Sequence, residues 1–166
     1  MPVTYDPIAT NTLGSPASSL TFSSIPQTYT DLILVCNLGQ VGPANVALQF
    51  NGDTGANYDS MIAYASGTGA PAAGNYDNLS FAYGLNGAGQ LPGTIVASGW
   101  FEIFSYSSTV VRKSTLSRYA NNDLAEITNF SSTWRNTAAI NSIRVFSYSG
   151  NYLAGSSFTL YGIKAA

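Results

Sequence analysis

The stretch Asn45-Val46-Ala47-Leu48-Gln49-Phe50-Asn51-Gly52-Asp53 decides the fold. Val46, Leu48 and Phe50 occupy alternate positions with Ala47 and Gln49 between them, and a period of two turns successive side chains to opposite faces of a β-strand. The strand therefore has one core face. Asn51-Gly52 then supplies residues that tolerate positive φ, which a tight turn requires, so the segment reads as strand followed by turn. Upstream, Asp31-Leu32-Ile33-Leu34-Val35-Cys36-Asn37-Leu38 is an apolar run of strand length; downstream, Phe158, Leu160 and Gly162 alternate with Thr159, Tyr161 and Ile163.

Runs rich in Val, Ile, Thr, Tyr and Phe, bounded by Gly, Pro and Asn, recur along the whole chain. They predict strands at 19–24, 31–38, 45–51, 59–65, 78–84, 94–106, 111–119, 124–130, 141–148 and 156–164. About ten strands suffice for two packed sheets, so the chain is expected to be all-β, a jelly-roll-like antiparallel β-sandwich. Residues 1–18, with Pro7 and Pro16, read as an extended N-terminal arm, and 19–166 as a single sandwich domain. Residues 132–139 make at most a turn of helix, and 66–77 read as a long Gly/Ala/Pro loop of the kind that carries contacts. Segment 94–106 places Phe101 and Ile103 on one face and Trp100, Phe104 and Tyr106 on the other. Either that strand is covered twice within the chain, or its second face meets another subunit.

The surface implied by the composition is polar but uncharged: only 8% of the 166 residues are Asp, Glu, Lys or Arg, the net charge is -2, and 45% are hydrophobic, with 11 Tyr and 8 Phe. Such a chain can pack a core, and its weak self-repulsion suits a protein that sits against neighbours in an assembly. Six Lys and Arg are too few for a nucleic-acid footprint. Arg112, Lys113 and Arg118 read as solvated or paired with Glu102 and Glu126. The single cysteine, Cys36, lies in an apolar run and is expected to be a buried, inert thiol. The start Met1-Pro2-Val3-Thr4-Tyr5-Asp6 has neither the basic residues nor the apolar run of a secretory signal, and no apolar stretch reaches bilayer-spanning length. The expectation is synthesis in a host cytoplasm, with no membrane partner.

The sequence contains no histidine, which removes Ser-His-Asp and Cys-His arrangements and ordinary zinc sites, so no enzyme, metal or cofactor is expected. The residual catalytic reading is a glycosidase using Glu102 and Glu126 as its two carboxylates. Asn51 to Asp59 offers oxygen ligands at alternate positions in the manner of a calcium loop, but Ile62 stands where the closing bidentate Glu belongs. A turn held by its own Asp and Asn side chains is the better reading. Gly84, Gly87 and Gly89 have no following helix or lysine and read as loop glycines rather than a phosphate cradle. Trp134, Tyr76, Tyr83 and Tyr152 are candidates for a carbohydrate platform, or else for core and edge packing.

Two segments, Ser24-Ile25-Pro26-Gln27-Thr28-Tyr29-Thr30-Asp31-Leu32 and Leu48-Gln49-Phe50-Asn51-Gly52-Asp53-Thr54-Gly55-Ala56-Asn57-Tyr58, resemble a recurrent module of tailed-phage minor structural and tail-fibre proteins. Ile140-Asn141-Ser142-Ile143-Arg144-Val145-Phe146 and Ala154-Gly155-Ser156-Ser157-Phe158-Thr159-Leu160-Tyr161-Gly162-Ile163 look like its last two strands. The resemblance spans residues 8 to 164, brings no catalytic residues, and implies a β-sandwich component of a virus particle. The chain lacks the shaft and tail-attachment region of the longer fibre proteins. A head decoration (cement) protein on the outer capsid surface is therefore expected, binding the major capsid protein as a homotrimer. The alternative is a tail-fibre or tailspike component that binds host-surface glycan. The expected contact residues are Val3, Tyr5 and Ile8 of the arm, Pro71 and Tyr76 of the long loop, and Trp100, Phe104 and Tyr106 of the doubly apolar strand.

Overall fold

The alternation at 31–39 becomes burial: Leu32, Leu34, Cys36 and Leu38 are sealed from solvent, while Ile33, Val35 and Asn37 face the other way. The computed structural model describes residues 4–39, 42–66, 69–91, 96–121 and 126–164. It contains twelve strands: β1 (Tyr5–Thr12), β2 (Ser19–Phe22), β3 (Asp31–Gly39), β4 (Gly42–Phe50), β5 (Tyr58–Ser66), β6 (Ala72–Leu79), β7 (Ala82–Leu91), β8 (Val96–Phe104), β9 (Lys113–Asn121), β10 (Glu126–Trp134), β11 (Ile143–Phe146) and β12 (Ser157–Ile163). They form an eight-stranded sheet in the order β1-β12-β3-β8-β9-β10-β5-β6 and a four-stranded sheet in the order β2-β11-β4-β7. Every pairing is antiparallel.

The strand order has a simple origin once the hairpins β5–β6 and β9–β10 are set aside. The remaining strands pair as β1 with β12, β2 with β11, β3 with β8 and β4 with β7, each pair nested inside the one before. One long antiparallel ribbon has been rolled so that successive segments fall alternately into the two sheets, which is the jelly-roll topology. The two hairpins join the large sheet beyond β8 and carry it from four strands to eight.

Three local readings need correction. Residues 5–12 are not an arm but an edge strand of the large sheet, paired along β12 from Tyr5–Ile163 to Thr12–Ser157. An edge strand tolerates Pro7, because one side of it makes no ladder bonds. The long loop is mostly β6, the opposite edge strand. No helix occurs among the described residues; β10 runs through Trp134, and 135–142 is irregular.

At one end, β12, β3 and β8 face β2, β11 and β4 across an apolar layer that includes Phe158, Leu34, Phe101, Phe22, Val145 and Leu48. Full burial of each such side chain stabilises the fold by about 1.5–3 kcal/mol. At the other end, β9, β10 and β5 face β7, and the inward positions mix hydroxyls with rings and aliphatic groups. Ser60, Thr115, Ser117, Thr128 and Ser132 are buried alongside Ile62, Tyr119 and Phe130, while Met61, Leu116 and Ile127 point outward.

The buried hydroxyls lie opposite a bulge. Val46 pairs with Leu85 and Ala47 with Tyr83, so Gly84 is an extra residue that shifts the register of β7. Main-chain groups beside it turn toward the large sheet and require partners there. Tyr83 N–H donates to Ser60 Oγ at 3.2 Å, the Ser60 and Ser132 hydroxyls lie 2.8 Å apart, and Ser132 Oγ donates to the Tyr83 carbonyl at 2.9 Å. Ser60 must then donate to Ser132, closing a ring in which every hydrogen is used. Ser117 Oγ donates to the Gly84 carbonyl. Hydroxyls this short reach the opposite main chain only because the sheets approach well inside the usual ~10 Å. A Cβ on Gly84 would lie 1.5 Å from the Phe101 ring, so only glycine fits.

Candidate functional site

The outer face of the large sheet carries the exposed chemistry. Its register places one continuous row, Pro7, Tyr161, Ile33, Glu102, Leu116, Ser131, Met61 and Asn75, across all eight strands. The adjoining row includes Thr159, Val35, Trp100, Arg118, Asn129 and Ala63. Among the described residues nothing covers the middle of this face: Trp100 is 38% exposed. The apolar second face of the 94–106 segment is thus bare at Trp100 and partly covered at Phe104.

Trp100 and Glu102, two residues apart on β8, stand as a ridge between two hollows. On one side a hollow of about 500 Å³ is floored by Ile33 and Val35 and walled by Tyr161 and Tyr5 opposite Trp100 and Glu102. On the other, about 270 Å³ is bounded by Trp100, Glu102, Leu116, Arg118 and Asn129. Arg118 is held in place: its Nε donates to Asn129 Oδ1 at 3.0 Å, and its guanidinium lies 5.8 Å from the centre of the Trp100 ring. Farther along the face, Leu116 at 47% and Met61 at 64% exposure flank Ser131 in one row and make a short, largely apolar strip, while Ile127 at 56% stands apart from it beyond Asn129.

Of the expected contact residues, Tyr5, Pro71, Tyr76 and Trp100 are exposed and Phe104 is half-buried; Val3 lies outside the described residues. Ile8 and Tyr106 need correction. The register shift between Pro7 and Ala9 turns Ile8 against the core. Ser105 adopts a φ of 52°, which breaks the alternation after Phe104 and sends Tyr106 inward. There the Tyr106 hydroxyl donates to the Pro26 carbonyl and accepts from Tyr29 N–H at 3.3 Å.

Two of the four carbohydrate candidates are also internal. Tyr152 is buried, and Trp134 is buried against Phe50 and Tyr58. Tyr76 and Tyr83 do meet, with ring centroids 5.0 Å apart, in a cluster with Phe81 and Tyr148. Burial, with the neighbouring Tyr83 and Tyr76 hydroxyls, pushes the Tyr148 phenol well above its ordinary range.

The remaining polar candidates are structural. Asp53 accepts from Gly55 N–H at 2.8 Å, from Asn57 Nδ2 at 3.0 Å and from Trp134 Nε1 at 2.7 Å. Partial burial works to raise its pKa, but the bonds from Trp134, Gly55 and Asn57 outweigh it and leave the carboxyl below its ordinary value. Its oxygens are committed to N–H donors, as a self-stabilised turn requires. Among the described residues no cluster of metal-ligating side chains forms.

Lys113 is not part of a surface patch. It is buried, and Nζ donates to the carbonyls of Ser108, Val111 and Thr137 at 2.7, 2.7 and 3.0 Å. Burial lowers its pKa. The described ion pairs are Arg135–Asp59 and Lys164–Asp6, so among the described residues Glu102 has no salt-bridge partner. Cys36 is fully buried, and burial pushes its thiol far above the ordinary range, as an inert thiol requires.

Segments 24–32, 48–58 and 140–146 meet at one end of the sandwich. Asn51 Nδ2 donates to the Ala139 carbonyl, while Asn51 Oδ1 accepts from Asn141 and Ser142 N–H. Gln27 Nε2 bridges the carbonyls of Ile25 and Ile140 at 2.9 Å each. These residues are corner braces, and the exposed Trp100 lies apart from them. A scan against known protein-family models finds no match to the chain, and a search of curated proteins finds none either.

Proposed function

We propose that this chain is a structural component of a phage virion, a head decoration protein that binds and stabilises the shell of major capsid protein and assembles as a homotrimer. The observation that supports this reading is the outer face of the hairpin half of the large sheet. There, the two hairpins that extend the jelly roll turn Leu116 and Met61 outward beside Ser131 and offer a short, weakly charged and largely apolar strip. Such a strip gains by being covered, at about 25 cal/mol per Å² of apolar area removed from water. Symmetric repetition of a modest patch multiplies its hold on a lattice. The phage-module resemblance and the low charge of the whole chain point the same way.

Cryo-electron microscopy of the particle that carries this chain tests the reading. Many copies spread over the shell, with the strip facing capsid protein or a sister copy, are expected. A few copies at the tail would replace decoration by a tail role, and absence from purified particles would end the virion reading. In solution, light scattering is expected to give a trimer mass, and Met61→Glu with Leu116→Glu is expected to weaken assembly or shell binding while leaving the fold intact.

A further inference from the structure

Beyond the virion role and independent of it, we propose that the hollow between Tyr161 and Trp100 is a carbohydrate-binding site, taking a neutral pyranose stacked on the Trp100 indole with Glu102 accepting from its hydroxyls. Tyr161 and Glu102 share one row of the sheet with Ile33 between them, two strands apart and hence about 9.5 Å between main chains. Trp100 stands beside Val35 in the next row. The trough therefore has an aliphatic floor, aromatic walls and one carboxylate at the rim, an open groove of about 500 Å³. Sugar rings have apolar C–H faces that pack on aromatic faces, and equatorial hydroxyls that need planar partners.

The polar groups select a sugar over the other ligand that aromatic walls suggest, an organic cation. A cation would seek the indole face and Glu102. Arg118 already stands over Trp100 at 5.8 Å, pinned by Asn129, and would repel it. For a saccharide lying across the ridge the same pair is an asset, since Glu102 can accept from a sugar in either hollow and Arg118 can donate to one in the smaller hollow. Both hollows share Trp100 and Glu102, so a chain of two or more sugars can lie across the ridge. The rigid strand backbone fixes these groups without a loop to order, which lowers the entropic cost of binding.

Tryptophan fluorescence tests this directly, because Trp134 is buried and Trp100 is the exposed member of the pair. The purified chain is titrated with maltohexaose, cellohexaose, chitohexaose and choline, with acrylamide as quencher, and is applied to a printed array of bacterial surface polysaccharides. Binding of at least one saccharide that shields Trp100 from acrylamide is expected. Trp100→Ala should weaken that binding about tenfold or more and Glu102→Gln severalfold, with Val110→Ala unchanged and melting curves superimposable. A silent array with no shielding by the oligosaccharides overturns the proposal, as does full binding by Trp100→Ala. Shielding by choline but by no saccharide overturns it in favour of a cation site. A protein that decorates a shell yet binds no sugar would leave the virion reading standing while this one falls.

Discussion

The two ends of the sandwich close the same gap by different physics. Between β3 and β4 the space is filled by Leu, Phe and Val side chains whose attraction has no direction; between β7 and β9–β10–β5 it is spanned by the hydroxyls of Ser60, Ser117 and Ser132 bonded to the opposite main chain. The apolar end is thick and adaptable, because a volume-conserving exchange leaves its burial intact. The hydroxyl end is thin and exacting: the hydroxyls of Ser60, Ser117 and Ser132 each bond fixed partners at short range, and the approach they permit leaves no space for a methyl group on Gly84. Phe101, whose ring meets Gly84, is where the two regimes touch.

The largest effect is expected from emptying the apolar end. Phe101→Ala should cost about 4 kcal/mol in urea unfolding, since it removes a buried ring and leaves a cavity. A cost under about 1 kcal/mol would mean that the apolar end is not the principal source of stability. Gly84→Ala comes next, at about 2 kcal/mol of overpacking. Pairing it with Phe101→Leu sharpens the comparison: most of the Gly84→Ala penalty should vanish in that background, and simple additivity would show that something other than the ring demands glycine.

Ser132→Ala opens the hydroxyl ring and leaves the Tyr83 carbonyl without its side-chain donor, an expected loss of about 1.5 kcal/mol with faster amide exchange at Tyr83. Leu34→Met at the apolar end should cost less than that, and the reverse order would break the contrast.

The smallest effect is acidic. Asp53 holds Trp134 at the end of β10, and its carboxyl lies below the unfolded value near 3.8. Its contribution is therefore fully present above about pH 4–5 and lost as pH falls through the lowered folded-state pKa. Melting temperature measured from pH 6 down to pH 2.5 should show this decline, and Asp53→Asn should flatten it.

The same contrast explains how much was legible in the sequence. Where the core is apolar, alternation finds the core face: Val46, Leu48, Phe50 and Cys36 are inside, although β4 has no solvent face, because Ala47 and Gln49 on its other side are buried as well. Where hydroxyls share the packing, hydropathy is a poor guide, since Leu116 and Met61 face outward while Thr115, Ser117 and Ser60 are buried. The partner that makes a buried serine favourable is main chain on another sheet, and a linear pattern carries no sign of it. The edge strands escaped for a related reason: β6 is exposed at nearly every position and so has no alternation to detect, and Pro7 disguised β1. The Asn51-Gly52 turn was readable as a turn, with φ of 53° and 71°, but it leads from one sheet to the other rather than closing a hairpin. For the candidate site, Trp100 was visible as an outward residue, whereas Tyr161 became its neighbour only through the pairing of β12, β3 and β8.

The outermost pair of the rolled ribbon sets Tyr5 against Ile163, so the first and last strands finish side by side. Cargo joined at either end would emerge from the same corner. A short tether between the two ends would span little distance, and new ends opened at the tip of the β9–β10 hairpin would convert the outermost pairing from the most distant contact in the chain into a local one. Such a permuted chain should fold faster than the parent, because the costliest loop closure would already be made by the covalent link.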